Sequence, residues 1–172
     1  MSLHELPPHD DDGNLQVVVE SPGGSRMKLE FDPERRAFVT KHVLPRGLIY
    51  PFPWGFVPGT RASDGDPLDA MLYFDAPTWP GLVIPCRPIG VVAVRQRETK
   101  KAPWVRNDRV IAVPADEAEL QHVKDLPKKL VGHLEAFFVR VGELSHTEVR
   151  IDGWKGPHAA ADAIESARKA VK

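Results

Sequence analysis

Tyr50-Pro51-Phe52-Pro53-Trp54-Gly55-Phe56-Val57-Pro58-Gly59-Thr60, continued by Asp64-Gly65-Asp66-Pro67-Leu68-Asp69 and the apolar run Ala70-Met71-Leu72-Tyr73-Phe74, is the stretch on which the fold turns. Its prolines and glycines break the chain into short pieces, the signature of strands joined by shaped loops. Its second part crowds three carboxylates, Asp64, Asp66 and Asp69, into six residues. Like charges this close raise one another's pKa unless a cation shares them, and hard oxygen donors select magnesium, manganese or calcium. A solvated acidic turn has the same composition. An EF-hand calcium loop does not fit: counted from Asp64, the fourth position is Pro67, the sixth is Asp69 where Gly is required, and the twelfth is Asp75 where a bidentate Glu is required.

Outward from this stretch, the chain alternates short strand patterns with turns. Leu15-Gln16-Val17-Val18-Val19-Glu20, the turn Ser21-Pro22-Gly23-Gly24-Ser25 and Met27-Lys28-Leu29-Glu30-Phe31 read as a hairpin. It sends Met27, Leu29 and Phe31 to one face and sets Glu20, Lys28 and Glu30 on the other. Further strands are expected over 37–43, 70–74, 83–94, 110–113 and 147–152, a spacing that suits a barrel or sandwich better than an alternating parallel sheet. Asp125 is placed to cap a helix with Pro127 in its first turn and Leu130, Val131, Leu134, Phe137, Phe138 and Val141 on its inner face. A second helix after Pro157 carries Ala160, Ile164, Ala167 and Val171 inward. The 172 residues suffice for one domain, over 15–172, preceded by a polar, acidic arm at 1–14 expected to be loosely held.

A net charge of -1 points to neither nucleic acid nor an acidic membrane surface. No apolar run approaches the ~20 residues of a membrane span. The first residues lack the basic start and apolar core of a secretory signal. With the lone Cys86 unable to form an internal disulfide, a reducing, cytoplasmic setting is expected. Cys86 reads as a small core residue, and the seven histidines show no zinc-ligand spacing. Trp79 and Trp154 are assigned to packing or a subunit contact.

The segments Tyr50 to Thr60 and Asp64 to Asp69, with Pro80-Gly81, Arg87-Pro88-Ile89-Gly90-Val91, Ile111-Ala112-Val113-Pro114 and Gly153-Trp154, closely resemble the soluble family I inorganic pyrophosphatases from about Val17 onward. The resemblance implies an α+β, mainly β fold: a distorted five-stranded barrel of the oligonucleotide-binding type with flanking helices, assembled in bacteria as a homo-hexamer. It implies magnesium-dependent hydrolysis of pyrophosphate to two phosphates, with manganese as the other candidate metal. By position, Asp64 and Asp69 resemble metal ligands, Asp66 the carboxylate that orients or deprotonates the attacking water, and Glu20 and Glu30 outer metal-binding carboxylates. Lys28 and Tyr50 match phosphate-binding positions, as does Lys41, which stands where the family has an Arg, and Arg109, which stands where it has a Lys.

Other positions depart from the family. Gln96, Arg97 and Asn107 stand where it carries carboxylates, Trp54 where it carries a Tyr, and Val141-Gly142 where it carries a Tyr-Lys pair. Strand alternation puts Asn107 and Arg109 on one face and Asp108 on the other, so Asp108 cannot replace Asn107 without a bulge. The lost carboxylates imply one or two metal ions and weakened or altered catalysis. Two alternatives follow: a divergent member that binds or hydrolyses another phosphate-bearing ligand, and a nucleic-acid-binding barrel. The latter rests on Arg95, Arg97, Lys100, Lys101, Arg106 and Arg109 gathered around Trp104, a segment that also reads as a solvated basic loop.

Overall fold

The computed structural model describes residues 2 to 171. Val17, Val18 and Val19 are all fully buried. A strand half-open to water would hide only alternate residues. The cause is that β1 (Leu15–Ser21) belongs to a closed ring and is covered on its outer side as well. It pairs antiparallel with β4 (Trp54–Val57) and with β6 (Val83–Arg97). β4 pairs with β5 (Leu68–Leu72), β5 runs parallel to β8 (Arg109–Pro114), and β8 pairs with β6, so that five strands close on themselves. This is the distorted, mainly β ring expected from the sequence. β7 (Val105–Arg106) and β9 (Glu148–Lys155) extend the outer part of β6, while β2 (Met27–Asp32) and β3 (Ala37–Val43) form a separate hairpin.

The fifteen-residue β6 serves four partners because it bends. Register shifts fall between Pro88 and Gly90 against β8, and between Ala93 and Val94 against β9. Pro88, which has no N–H to give the ladder, sits at the first irregularity, where a missing donor costs least. Two helices complete the core. α1 (Lys128–Leu144) presses Leu134, Phe137 and Phe138 onto Tyr50, Ile111 and Val113. α2 (Pro157–Lys169) buries Ile164 and Ala167 against Leu15, Val17 and Leu68.

Several expectations change. β1 and β2 do not form a hairpin ladder; β2 pairs with β3, and β1 reaches β2 only through side chains, with Phe31 N–H donating to Glu20 Oε1 at 2.7 Å and Leu29 N–H to Ser21 Oγ at 3.0 Å. The four-residue β4 and the two-residue β7 went unread because prolines and charges hide so short a pattern. β5 starts two residues early, since buried Thr60 accepts the Leu68 N–H at 2.9 Å. Asp125 does not cap α1. Leu126, extended ahead of Pro127, interrupts the chain, and the Asp125 carboxylate instead accepts from Gln121 and His122 N–H of its own 3-10 turn. Val171 lies past the end of α2 and is exposed. Residues 2–14, expected as a loose arm, lie against the ring, with Gly59 N–H donating to the His4 carbonyl and Gln16 N–H to the Pro8 carbonyl.

At Gly55 the ring tolerates no side chain: a Cβ there would lie 1.8 Å from the Val18 carbonyl oxygen across the β1–β4 pair. Gly55→Ala is expected to lower unfolding stability by about 3 kcal/mol or more, because backbone must separate from backbone in a closed ring. Denaturant unfolding of the two proteins checks this; an unchanged midpoint would contradict the closeness of that pair.

Candidate active site

β1 is irregular between Val19, opposite Gly55, and Ser21, opposite Trp54. The intervening Glu20 has no cross-strand partner and is turned into a cavity of about 220 Å³. Lys28 and Glu30 of β2 reach the same cavity, while Leu29 is buried away from it and the buried Phe31 ring forms part of its wall. The acidic loop supplies Asp64 and Asp66, and the start of β5 supplies Asp69. Gly65, at φ +96°, makes the tight turn between the first two carboxylates, and the Ala62 N–H holds the Asp66 carbonyl at 2.7 Å. Thr60 links the two ends of the loop: its hydroxyl donates to the Val57 carbonyl and accepts from Leu68. The sequence gives no hint of this role.

Gln96, Asn107 and Arg109 line the same cavity, as do Val141 and Gly142 from α1. Gln96, Asn107, Arg109, Val141, Gly142 and Trp54, all departures from the family, therefore share the cavity with the carboxylates, while Arg97 does not line it. Asp108 points away into a separate cleft, its carboxylate held by Arg106 Nε at 2.6 Å and by the Val94 N–H at 3.2 Å, as strand alternation requires. Lys41 stays outside the lining, 3.0 Å from Glu30 Oε1 at the rim.

Among these departures, Arg109 is the most constrained group. Its side chain is 9% exposed, and its guanidinium lies 5.2 Å from the Trp54 ring and 5.0 Å from the Phe138 ring. Aromatic faces offer such a cation up to about 2 kcal/mol once water is excluded. Asp69 approaches no closer than 3.9 Å, and the buried Nε and one terminal nitrogen of Arg109 have no hydrogen-bond partner. Buried charged donors left unanswered are costly, and an anion entering the cavity would satisfy this pair.

The carboxylates carry the opposite strain. Burial pushes Glu20 up to about 8, even though the Phe31 N–H favours its ionised form. Burial likewise pushes Asp69 up to about 6, against the pull of Arg109 and Lys28. Asp64 is raised too, mainly by burial. Tyr50 is buried and its phenol is held above its ordinary range by burial. Such a set suits a hard divalent cation, which supplies the missing counter-charge. Among the described residues no three side chains form a ready-made metal cage.

Apart from Arg109, the arginines of the basic segment face elsewhere. Arg95 forms a two-pronged contact with Asp152, Arg97 bonds Glu148 at 2.7 Å while lying 4.4 Å over Trp104, and Arg106 is held by Asp108. Apart from Arg109, its arginines are answered within the fold, which leaves the nucleic-acid alternative without support. Cys86 is a buried core residue whose thiol burial pushes up, as expected for a structural cysteine. Among the described residues no helix is long and apolar enough to cross a membrane.

Residues 17–172 match the family model for inorganic pyrophosphatase. The chain belongs to the inorganic pyrophosphatase family. It is 35% identical to the inorganic pyrophosphatase of Synechocystis sp., over 100% of both chains, and 35% identical to that of Saccharolobus solfataricus, over 92% of this chain and 90% of the other. Its fold superposes on the crystal structure of the Thermus thermophilus inorganic pyrophosphatase with a TM-score of 0.88 at 29% identity, covering 99% of each chain. The Coxiella burnetii inorganic pyrophosphatase gives 0.85 at 28% identity, over 97% of this chain and 100% of the other. Inorganic pyrophosphatases of this family depend on metal ions, in keeping with the donor set described above.

The raised carboxylates set a pH dependence. Between about pH 4 and pH 8 the folded chain holds protons on Asp69 and Glu20 that the unfolded chain has released, so metal-free stability falls as pH rises through this window. A divalent ion needs the ionised forms and competes with those protons. Saturating magnesium is therefore expected to raise the melting temperature more at about pH 8.5 than at about pH 6. Thermal melts with and without the metal test this; an equal increment at both pH values would contradict it.

Proposed function

We propose that the protein is a magnesium-dependent inorganic diphosphatase that hydrolyses pyrophosphate to two phosphates. The observation that carries this reading is the meeting, within one cavity of about 220 Å³, of five carboxylates with the unanswered donors of Arg109. Bound magnesium supplies counter-charge to the anion and lowers the pKa of a coordinated water. Asp64 and Asp69 would hold it, with Glu20 and Glu30 as outer partners; manganese has the same donor preference. Asp66, at the mouth of the acidic loop, orients the attacking water and takes its proton. Lys28, Tyr50 and Arg109 hold the phosphate oxygens, and Lys41 contributes positive charge at the rim. The aromatic walls Trp54, Phe137 and Phe138 restrict water around the reacting groups.

A cytoplasmic homo-oligomer belongs with this reading. Its support is a single buried thiol and the cross-strand pair Met27 and Val43, exposed to 45% and 55%, which a second copy would cover.

Phosphate release from pyrophosphate with magnesium tests the activity. Asp66→Asn is expected to lower kcat by about 100-fold or more, the usual contribution of a positioned general base. Turnover at background level in the unaltered protein, with either metal, would overturn the reading.

The wall of Gln96 and Asn107 offers amides where the family has carboxylates, and Arg109 stands beside them as fixed positive charge. Calorimetric titration is expected to saturate at one or two magnesium ions per chain, and Asn107→Asp to strengthen or add a site. Saturation by three or more ions in the unaltered protein would contradict this.

A further inference from the structure

His4 lies outside every motif that carries the family resemblance, yet its ring lines the catalytic cavity beside Glu30, Asp66 and Phe31. The arm that carries it is fixed at several points. Ser2 N–H donates to Glu5 Oε2 at 2.6 Å and closes the turn around His4. The His4 carbonyl accepts from Gly59 N–H at 2.9 Å, and Gln16 reaches the carbonyls of Pro7 and Pro8, each at 2.8 Å. The seat is shaped for the arm: Gly59 has φ +62°, and a Cβ there would stand 2.8 Å from the Leu6 carbonyl oxygen.

The imidazole meets Phe56 edge-on at 4.8 Å and Phe31 at 5.2 Å, which fixes its plane. Among the described residues it makes no side-chain hydrogen bond. Desolvation lowers its pKa below the ordinary histidine value, although Asp66 and Glu30 pull the other way. A neutral imidazole carries one donor and one acceptor. A side chain present only to fill space between two phenylalanines has no use for either.

We propose that His4 is a positioning residue of the hydrolytic site, its imidazole hydrogen-bonding to the water that Asp66 orients. This rests on the diphosphatase reading and adds to it a part of the chain, the docked arm, that the acidic signature does not contain. The water gains a second fixed partner, so its lone pair is aimed by Asp66 and His4 together.

His4→Phe keeps a ring between Phe31 and Phe56. It is expected to leave the melting temperature within a few degrees, to lower kcat about 10-fold or more and to leave KM unchanged, while His4→Gln regains part of the loss. A kcat equal to that of the unaltered protein would overturn the proposal. A second readout does not need turnover: the imidazole ¹⁵N resonances of His4, assigned by their disappearance in either variant, shift when magnesium and inorganic phosphate are added. Resonances that stay in place overturn the proposal, whereas absent turnover in the unaltered protein with shifted resonances overturns only the diphosphatase reading.

Discussion

A guanidinium held between two aromatic rings, with buried donors left open, faces a set of carboxylates that burial forces toward their protonated forms. Neither side of this arrangement is comfortable alone. Arg109 cannot shed its charge, and its nearest acid, Asp69, stays 3.9 Å away. Burial pushes Glu20 up to about 8 and Asp69 up to about 6. The two sets come from neighbouring parts of the fold: carboxylates on β1, β5, the acidic loop and the separate strand β2, cationic and amide groups on β6, on β8 and just before it, with β5 and β8 paired side by side. A metal-bound phosphate anion in this cavity would answer both.

Much of this could be read from the chain because it depends on local geometry. Alternation along β2 turns Lys28 and Glu30 toward the cavity, and the chain entering β8 sends Asn107 and Arg109 to it and Asp108 away. The inner faces of α1 and α2 follow helical spacing up to their last turns. What could not be read depends on distant backbone. Glu20 reaches the site through an irregularity against β4 and not through a β1–β2 hairpin, and no property of residues 15–31 announces that β1 will be occupied by β4 and β6 instead. Thr60 and His4 are equally silent, because each acquires its role only when the loop and the arm are laid against the ring.

The departures from the family pattern acquire a common meaning in space. Gln96 on β6, Asn107 between β7 and β8, Arg109 on β8 and Val141 and Gly142 on α1 are scattered in the sequence but line one cavity. Gly142 could not be enlarged on its own, since a Cβ there would lie 2.3 Å from Val149 Cγ2. A bulky residue at this position of α1 therefore requires β9 to change with it. The replacement of charged by neutral and cationic groups is a rebuilding of part of the cavity, with the carboxylates of β1, β2, β5 and the acidic loop retained.

β6 gives the molecule a further property. Because β1, β7, β8 and β9 all lean on this one bent strand, no subset of the ring can form a lasting piece by itself. The groups that meet in the cavity come from both ends of the chain, and they remain far apart until the last closing pair is made. Such long-range closure slows folding and makes it cooperative. Partly folded chains would then be blank with respect to catalysis, and activity measured during refolding would rise in step with closure of the ring, with no earlier phase in which one half of the site works alone.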